Sequence, residues 1–419
     1  MHVLLVPSWY PRGASDPGGS FFREQAEILA AAGHTVSVLA AELTYPDPRR
    51  PAAARAALAG TLALQESREG ALRVLRLRAP VPLPGIADQV TALLARWAAR
   101  VARRLLSGVD VVHAHSVHPA ATVARAVAGA LDVPWVLTEH RPSAVTALLP
   151  PRRERARGEL LRAADALSAV SRGLAGAMEE RHGLASGSVE VLPNPLSAVL
   201  VAQSAPEPAD RQVPVTRFLH LSHLAPIKRV DRIVAAFRAL RSDAPRELVI
   251  AGGSPERVRR LSVELDLPVL DGLPPRGRLA ELAPGGAALV GSVAREDVPR
   301  AMATADRFVL ASEQESFGLV LAESLLVGVP VIAVDAWGPR DVVGEDPRRG
   351  VLVPPEDAEA LRRALEEALE DRATGEELPR PGLREDTLAR YGPPAYVARA
   401  ETLWRRSLAP DPRPGRTAP

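Results

Sequence analysis

The chain has 419 residues, 47% of them hydrophobic, and a mean hydropathy near zero, so it can bury the cores of two ordinary globular domains. Its formal net charge of +2 argues against a general nucleic-acid binder. The lack of cysteine excludes disulfides and thiolate chemistry and agrees with a cytoplasmic location. No apolar run approaches the roughly 20 residues that span a bilayer, and the first residues are typical of a strand and not of a signal peptide.

The first predicted elements are a strand, a loop, a helix and a second strand. The apolar run from His2 to Val6 predicts a buried strand, and a helix is expected from about Phe21 to Ala32. The loop between them contains Gly18 and Gly19, whose small size would let backbone N–H groups approach a phosphate. The alternative is an ordinary turn that needs a glycine conformation. The loop lacks the G-x-G-x-x-G spacing of a dinucleotide fingerprint.

Residues 92–106 predict a basic amphipathic helix. Leucines, a tryptophan and a valine favour one side of it, and four arginines lie elsewhere. We favour the interpretation in which the apolar side covers the sheet and the arginines stay in water. The alternative is that the helix contacts an anionic membrane surface. The predicted location is therefore cytoplasmic, with peripheral contact at the inner face of the membrane as the second interpretation.

Polar residues follow two further apolar runs. Residues 109–112 lead into His113 and His115, and residues 135–138 lead into His140. These positions lie just past the carboxyl ends of predicted strands, where open parallel sheets bind ligands. Two histidines one residue apart invite a metal site, but a third ligand with suitable spacing is lacking. We therefore expect no metal.

The composition changes near the middle of the chain. Residues 197–214 are rich in proline, alanine and polar residues without periodicity, and they predict a linker. The domains on either side are expected at 1–197 and 198–384. A final helical segment is expected at 385–408, and the Pro/Arg-rich tail at 409–419 is expected to be disordered.

Lys228 is the only lysine among 52 lysine and arginine residues. So strong a bias toward arginine should have removed any lysine that arginine could replace, and a guanidinium fork cannot replace a compact ammonium in a tight site. Lys228 also stands near the start of a predicted helix that follows a strand, a natural phosphate position. The alternative is a chance survivor on a helix surface.

The stretch from Ala311 to Ile332 predicts the end of a strand, a polar loop, a short helix and the next strand. Glu315 lies in the loop and Glu323 within the helix. Gly318 would let backbone N–H groups approach a ligand, and the helix that follows directs its positive end there. The two glutamates suit two hydroxyl-rich partners better than one shared metal. Taken alone, the stretch could equally be a βαβ unit with two solvated glutamates.

Glu315-Ser-Phe-Gly, followed by Glu323 after seven intervening residues, resembles the E-x7-E signature of retaining family 4 glycosyltransferases (glycosyl transferases group 1). Gly328-Val-Pro-Val and Gly338-Pro-Arg-Asp fit the same family, and the resemblance runs from Val3 to Trp404. It implies the α/β GT-B fold, in which two Rossmann-like, doubly wound parallel-sheet domains face each other across a deep cleft. The first domain would bind the acceptor and the second the nucleotide sugar, and the last helix would cross back onto the first domain.

The resemblance also implies roles for single residues. Glu323 would hold the ribose hydroxyls, Glu315 the donor sugar and Lys228 the diphosphate. His223 stands where the family commonly has a second phosphate-binding arginine, so that contact would be weaker or pH-dependent. The ring of His140 would contact the transferred sugar. The residues expected at the donor are Gly18, Gly19, His223, Lys228, Gly252, Val293, Glu315, Phe317, Gly318, Leu319 and Glu323, and the catalytic candidates are His140, Lys228 and Glu315.

The activity that the resemblance implies is the retaining transfer of a hexosyl unit from a UDP- or GDP-linked sugar in polysaccharide biosynthesis. The acceptor would be a glycan, a lipid-linked molecule or a small molecule, and no acceptor-binding residue can be read from the sequence. No metal or other cofactor is expected, and the departing phosphate would take the acceptor's proton, so no covalent glycosyl intermediate is required. The alternatives are a nucleotide-sugar epimerase of the same fold and a non-catalytic nucleotide-sugar-binding protein.

Overall fold

The computed structural model of the chain describes residues 1–13, 16, 18–45, 62–81, 83–203, 213–374 and 382–409. They form two α/β units, each with its own sheet and its own buried core. The first unit comprises residues 1–195 together with the chain from 393 onward, and the second comprises residues 196–392. The first boundary between the units, after residue 195, lies two residues before the expected domain boundary. Residues 46–60, where proline, arginine and alanine predict an irregular or helical segment, and the predicted tail beyond Ala409 lie outside the described residues.

The first unit contains an eight-stranded sheet in the order β3-β4-β2-β1-β5-β6-β7-β8. The edge strand β3 is antiparallel to β4, and the other pairs are parallel. Within it, β4-β2-β1-β5-β6-β7 has the strand order of a doubly wound Rossmann sheet. The strands are β1 His2–Pro7, β2 Thr35–Thr44, β3 Ala63–Glu69, β4 Leu72–Pro80, β5 Val111–His115, β6 Trp135–Glu139, β7 Ala166–Ala169 and β8 Val189–Val191. The helices are α1 Ser20–Ala31, α2 Ala87–Leu105, α3 Thr122–Leu131, α4 Ser143–Thr146, α5 Pro151–Arg162 and α6 Arg172–His182.

The second unit contains a seven-stranded parallel sheet in the order β11-β12-β10-β9-β13-β14-β15, and β12-β10-β9-β13-β14-β15 again has the Rossmann order. Its strands are β9 Thr216–Ser222, β10 Arg246–Gly252, β11 Val269–Leu270, β12 Ala287–Val290, β13 Arg307–Leu310, β14 Val331–Val334 and β15 Gly350–Val353. Its helices are α7 Ala198–Ala202, α8 Val230–Arg238, α9 Pro255–Leu265, α10 Leu279–Leu282, α11 Val298–Ala303, α12 Leu319–Leu326, α13 Trp337–Val343, α14 Ala358–Thr374 and α15 Leu383–Tyr391.

The predicted helix at 92–106 is α2, which begins five residues earlier, at Ala87. Its apolar side, including Leu94 and Ala98, is buried, and Arg96 and Arg100 are exposed. The structure therefore has the arrangement of the favoured interpretation, and membrane contact through the exposed arginines stays a prediction. No helix in the described part of the chain is both long and apolar enough to cross a membrane.

The last helix, α16 (Pro393–Leu408), packs into the core of the first unit. Tyr396, Ala400, Leu403 and Trp404 are buried there, at the spacing of a single helix face. The segment predicted at 385–408 is thus divided between the units, because α15 packs beside α12 in the second unit. The chain leaves helical geometry at Gly392, and prolines open α16, where their missing N–H groups cost no helical hydrogen bond.

A buried charge network joins several elements of the second unit. Asp306, with 2% of its surface exposed, accepts a hydrogen bond from the backbone N of Arg217 at 2.8 Å. The guanidinium groups of Arg276 and Arg372 also bond its carboxylate. The Arg217 side chain pairs with Glu247, 2.6 Å from Nε to Oε1, and both side chains are 1% exposed. Buried charges of this kind are tolerated only because each has a partner.

Candidate functional site

The stretch from Ala311 to Ile332 folds as expected, into a strand end, a loop, the helix α12 and the strand β14. Gly318 precedes α12 with a left-handed φ of 84°, a conformation that favours glycine. The next helix begins close to this loop, since a Cβ on Gly338 would lie 2.3 Å from the backbone of Phe317. The N–H of Gly338 also donates to the Glu315 carbonyl at 3.0 Å. The loop that carries Glu315 is thus fixed by close backbone packing.

Lys228 and Glu315 form an ion pair, with 2.6 Å between Nζ and Oε2 and 15% of each side chain exposed. Lys228 lies in a 3-10 turn, Pro226–Lys228, just before α8 and not in the first turn of that helix. The turn and the loop also meet through the N–H of Glu313, which donates to the Ile227 carbonyl at 2.9 Å. The only lysine of the chain is therefore not a solvated surface residue, because it contacts the first glutamate of the motif.

Glu323 is buried in α12, with 5% of its side chain exposed. Arg295 NH1 lies 2.6 Å from its Oε1. The two glutamates of the motif therefore each contact a different cation. Within the described ranges, no group of three or more histidine, aspartate or glutamate side chains is arranged to hold a metal ion. Arg295 was not predicted from the sequence, although it lies two residues after Val293, one of the residues expected at the donor.

Two more predicted residues lie where strands β9 and β10 end. Gly252 has a φ of 110°, and a Cβ there would lie 1.9 Å from the Ser222 carbonyl oxygen, so only glycine lets the loops approach this closely. His223 is partly exposed. Desolvation lowers the pKa of its ring below the ordinary value, the nearby Lys228 charge lowers it further and the Glu315 carboxylate opposes the shift. His223 is therefore neutral at pH 7, unlike the arginine whose place it takes.

A cavity of about 690 Å³ lies beside β12 in the second unit. Its volume is within the range of small-molecule sites. Of the residues expected at the donor, all of them within the described ranges, Val293 alone lines it. Residues from the loop after β12 and from α11 contribute to the same wall, among them Ser292, Ala294, Asp297 and Ala301.

Gly18 and Gly19 lie in the first unit, at the start of α1. Gly19 has a φ of 81°, and a Cβ there would lie 2.8 Å from Cδ1 of Trp9, so the turn itself requires glycine. The N–H of Gly18 donates to Oδ1 of Asp16 at 2.9 Å. Hydrogen bonds from the backbone N–H groups of Arg12 and Gly18 lower the pKa of that carboxyl. A phosphate at this loop would have to displace a carboxylate.

His140 follows β6, and the buried carboxylate of Glu139 fixes its backbone. That carboxylate accepts hydrogen bonds from the N–H groups of Val117 at 2.7 Å and of His140 and Arg141 at 2.8 Å each. The His140 ring bonds His115, 3.0 Å from Nε2 to Nδ1. Burial lowers the pKa of His140 to about 3, so its ring is neutral at pH 7. Glu139 is a second residue that the sequence analysis did not single out.

We expect the stability of the second unit to fall as the pH drops below about 6.5, because burial lowers the pKa of His220 from 6.5 to about 4. Between these values the unfolded chain binds a proton that the folded chain does not. One such histidine costs up to about 1.4 kcal/mol per pH unit. Urea unfolding at pH 7.5 and pH 5 measures the loss, and it should be smaller in His220→Asn. An equal loss in the variant would contradict this assignment.

Solved structures with the same architecture include proteins named as glycosyltransferases. Sucrose-phosphate synthase from Thermosynechococcus elongatus superimposes with a TM-score of 0.68 and 20% identity, over 97% of this chain and 99% of that one. The Anabaena protein HepE in complex with UDP-glucose superimposes with a TM-score of 0.66 and 17% identity, over 96% of this chain and 99% of that one. Two doubly wound parallel sheets of this kind define the GT-B fold.

Sequence comparison gives the family. Residues 18–199 match the model of Glycosyltransferase Family 4, and residues 215–371 match that of Glycosyl transferases group 1. The chain therefore belongs to glycosyltransferase family 4, the glycosyl transferases of group 1. It is similar to the sulfoquinovosyl transferase SQD2 of Arabidopsis thaliana, with 31% identity over 30% of this chain and 29% of that protein. A GDP-mannose-dependent alpha-mannosyltransferase of Mycobacterium tuberculosis is 36% identical over 34% of this chain and 30% of that protein.

These two alignments therefore span less than a third of either relative. The glycogen synthase of Mycobacterium tuberculosis aligns over 90% of this chain and 88% of its own, at 26% identity.

Proposed function

We propose that this protein transfers a hexosyl unit from a nucleotide-diphosphate sugar to an acceptor, with retention of anomeric configuration. The observation that carries the proposal is the placement of the two motif glutamates. Glu315, in the loop before α12, contacts the ammonium of the only lysine, and Glu323, within α12, contacts Arg295. This combination provides carboxylates for sugar and ribose hydroxyls and cations for the phosphates between them.

In the proposed reaction, the acceptor hydroxyl attacks the anomeric carbon while the bond from that carbon to the diphosphate oxygen breaks. The departing phosphate oxygen takes the acceptor's proton. Lys228 stabilises the negative charge that develops on the diphosphate, and the positive end of α12, with the backbone of Phe317, Gly318 and Leu319, adds to it. When the donor binds, the Lys228 ammonium would leave the Glu315 carboxylate and pair with a phosphate of the donor. We propose no metal in this step.

In the first unit, the proposed contact with the transferred sugar is the neutral ring of His140. Because Nε2 is bonded to His115, Nδ1 would be the atom that donates to or accepts from a sugar hydroxyl, and a neutral ring places no positive charge near the reacting carbon. Gly18 and Gly19 would approach the diphosphate, in competition with Asp16. These roles rest on the family resemblance.

The nucleotide of the donor is proposed as UDP or GDP. Among similar proteins, the HepE structures contain UDP or UDP-glucose, and the mycobacterial relative is GDP-mannose-dependent. The cavity beside Val293 can take either base by its volume. His223 would donate one hydrogen bond to the diphosphate where the family commonly uses arginine.

A panel of UDP- and GDP-sugars tests the proposal. We expect one donor to raise the melting temperature and to be consumed only when an acceptor is present, and NMR of the product should show retained configuration. Glu323→Gln should weaken donor binding at least about 10-fold, because an amide cannot accept two hydroxyl hydrogen bonds as a carboxylate does. Glu313→Gln is the matched control, since Glu313 is 48% exposed and pairs with Arg229.

The same panel separates the two alternatives. Interconversion of one nucleotide sugar into another without an acceptor would identify an epimerase. Thermal stabilisation without consumption of any donor, over a broad set of acceptors, would identify a binding protein. Equal donor binding by wild type and Glu323→Gln would remove Glu323 from the scheme.

A further inference from the structure

Three buried histidines lie side by side in the first unit. The rings of His113 and His115 stack with centroids 4.3 Å apart and planes at 29°. His115 then bonds His140, 3.0 Å from Nδ1 to Nε2. Burial lowers the pKa of all three rings, so the group is neutral. We call these three residues the histidine chain.

The C-terminal helix fixes one end of the histidine chain. The indole Nε1 of Trp404 lies 3.3 Å from Nδ1 of His113, and because an indole N–H can only donate, that nitrogen must accept. The proton of His113 is therefore on Nε2, which donates to Oγ1 of Thr138 at 2.7 Å. Ser168 donates its proton to the Leu137 carbonyl at 3.2 Å, so it accepts from Thr138 at 2.7 Å. The donor on α16 therefore fixes the tautomer of His113.

The same helix, α16, also acts at the other end of the histidine chain, near His140. The hydroxyl of Tyr396 donates to Oε1 of Gln25 at 3.2 Å, which turns the Gln25 amide nitrogen toward Asn194. That nitrogen donates to Oδ1 of Asn194 at 3.0 Å. The Asn194 side chain is close enough to His140 to oppose the lowering of its pKa. Gln25 is 1% exposed and Tyr396 2%, so the contact between them is shielded from water.

The pair formed by His115 and His140 has two possible proton arrangements. One ring donates to the other, and in either case one of the two outer nitrogens carries a proton and the other does not. Those outer atoms, Nε2 of His115 and Nδ1 of His140, are buried and have no hydrogen-bond partner among the residues that the structure describes. The pair alone does not select an arrangement, so its surroundings must do so.

We propose that Trp404 and Tyr396 are positioning residues which, through the histidine chain and Asn194, hold the ring of His140 in one orientation and one tautomer. The choice of tautomer decides whether Nδ1 of His140 donates or accepts. Helix α16, remote in sequence from the strands, thereby acts on a residue proposed to contact the transferred sugar. The catalytic part of this inference rests on the proposed function, but the structural part does not.

NMR of the full chain, labelled with 15N in its histidines, reports the tautomer of each ring, and His140→Gln identifies the His140 signals. Tyr396→Phe removes only a hydroxyl, and Trp404→Phe removes only the indole donor and some volume. We expect both to move the His140 nitrogen shifts toward averaged values. Turnover should fall about 10- to 100-fold with donor KM changed less than about 3-fold, the result expected when orientation is lost and binding is kept.

Arg406→Gln is the control on the same helix, since Arg406 is 65% exposed and pairs only on the surface with Glu190, and it should change neither readout. Unchanged His140 shifts in a folded Tyr396→Phe variant, which is the less disruptive of the two, would overturn the inference. If the shifts move but the wild type transfers no sugar from any donor, the positioning role stands and the proposed function fails.

Discussion

Replacing Lys228 with alanine is expected to lower kcat about 100- to 1,000-fold, the usual effect of removing one group that stabilises developing charge in a transition state. Lys228 contacts Glu315 at 2.6 Å in a partly buried turn, where a positive charge acts more strongly than at the surface. Steady-state kinetics with the donor found in the sugar panel measures the loss. Lys228→Arg should recover little of it, because a guanidinium does not fit a site shaped around an ammonium.

Arg232→Gln is the matched control for Lys228. Arg232 lies four residues further on and pairs with the exposed Glu356 at 3.4 Å, so its loss should leave kcat within about 2-fold of wild type. Circular dichroism of both variants establishes that they fold. A folded Lys228→Ala protein with near-wild-type kcat would show that the sole lysine has no role in the reaction.

Replacing Asp306 with alanine is expected to lower the free energy of unfolding of the second unit by about 3–5 kcal/mol, because it leaves buried guanidinium groups without a counter-charge. Arg276 loses its carboxylate partner, and the backbone N–H of Arg217 loses its acceptor. Asp306→Asn should cost less, since its amide oxygen can still accept the backbone hydrogen bond. Urea unfolding followed by fluorescence and circular dichroism measures both variants.

Asp371→Ala is the comparison for Asp306. Asp371 pairs with Arg307 at 2.8 Å, but 38% of its side chain is exposed, so water replaces much of the lost interaction. The expected cost is about 1 kcal/mol or less. Equal losses for the two aspartates would mean that burial of the network adds nothing to its strength.

The sequence was informative where a local pattern determines the structure. The strand, loop and helix around Glu315 follow from an apolar run, a polar gap and Gly318, and the structure has them in that order. The amphipathic pattern of α2 correctly put Leu94 and Val101 on its buried side, but Leu93, expected on the same side, is 47% exposed. The uniqueness of Lys228 indicated a site before any fold was known, and the structure pairs it with Glu315.

Contacts between distant parts of the chain could not be predicted in this way. Strand β3 is largely exposed and polar, and only its pairing with β4 makes it a strand. Arg295 meets Glu323 across 28 residues, with no local spacing to signal it. Trp404 and His113 are separated by 291 residues. The sequence of α16 alone therefore could not predict their hydrogen bond.

The first unit is discontinuous in the chain, and this affects how the protein is made. Residues 1–195 leave the ribosome without α16, although Trp404 and Tyr396 belong to their core. Domains at the amino terminus usually fold first during synthesis. Here the core of the first unit stays incomplete until residues 393–408 have been translated. The second unit has no such delay, so the later half of the polypeptide can reach its native state before the earlier half does.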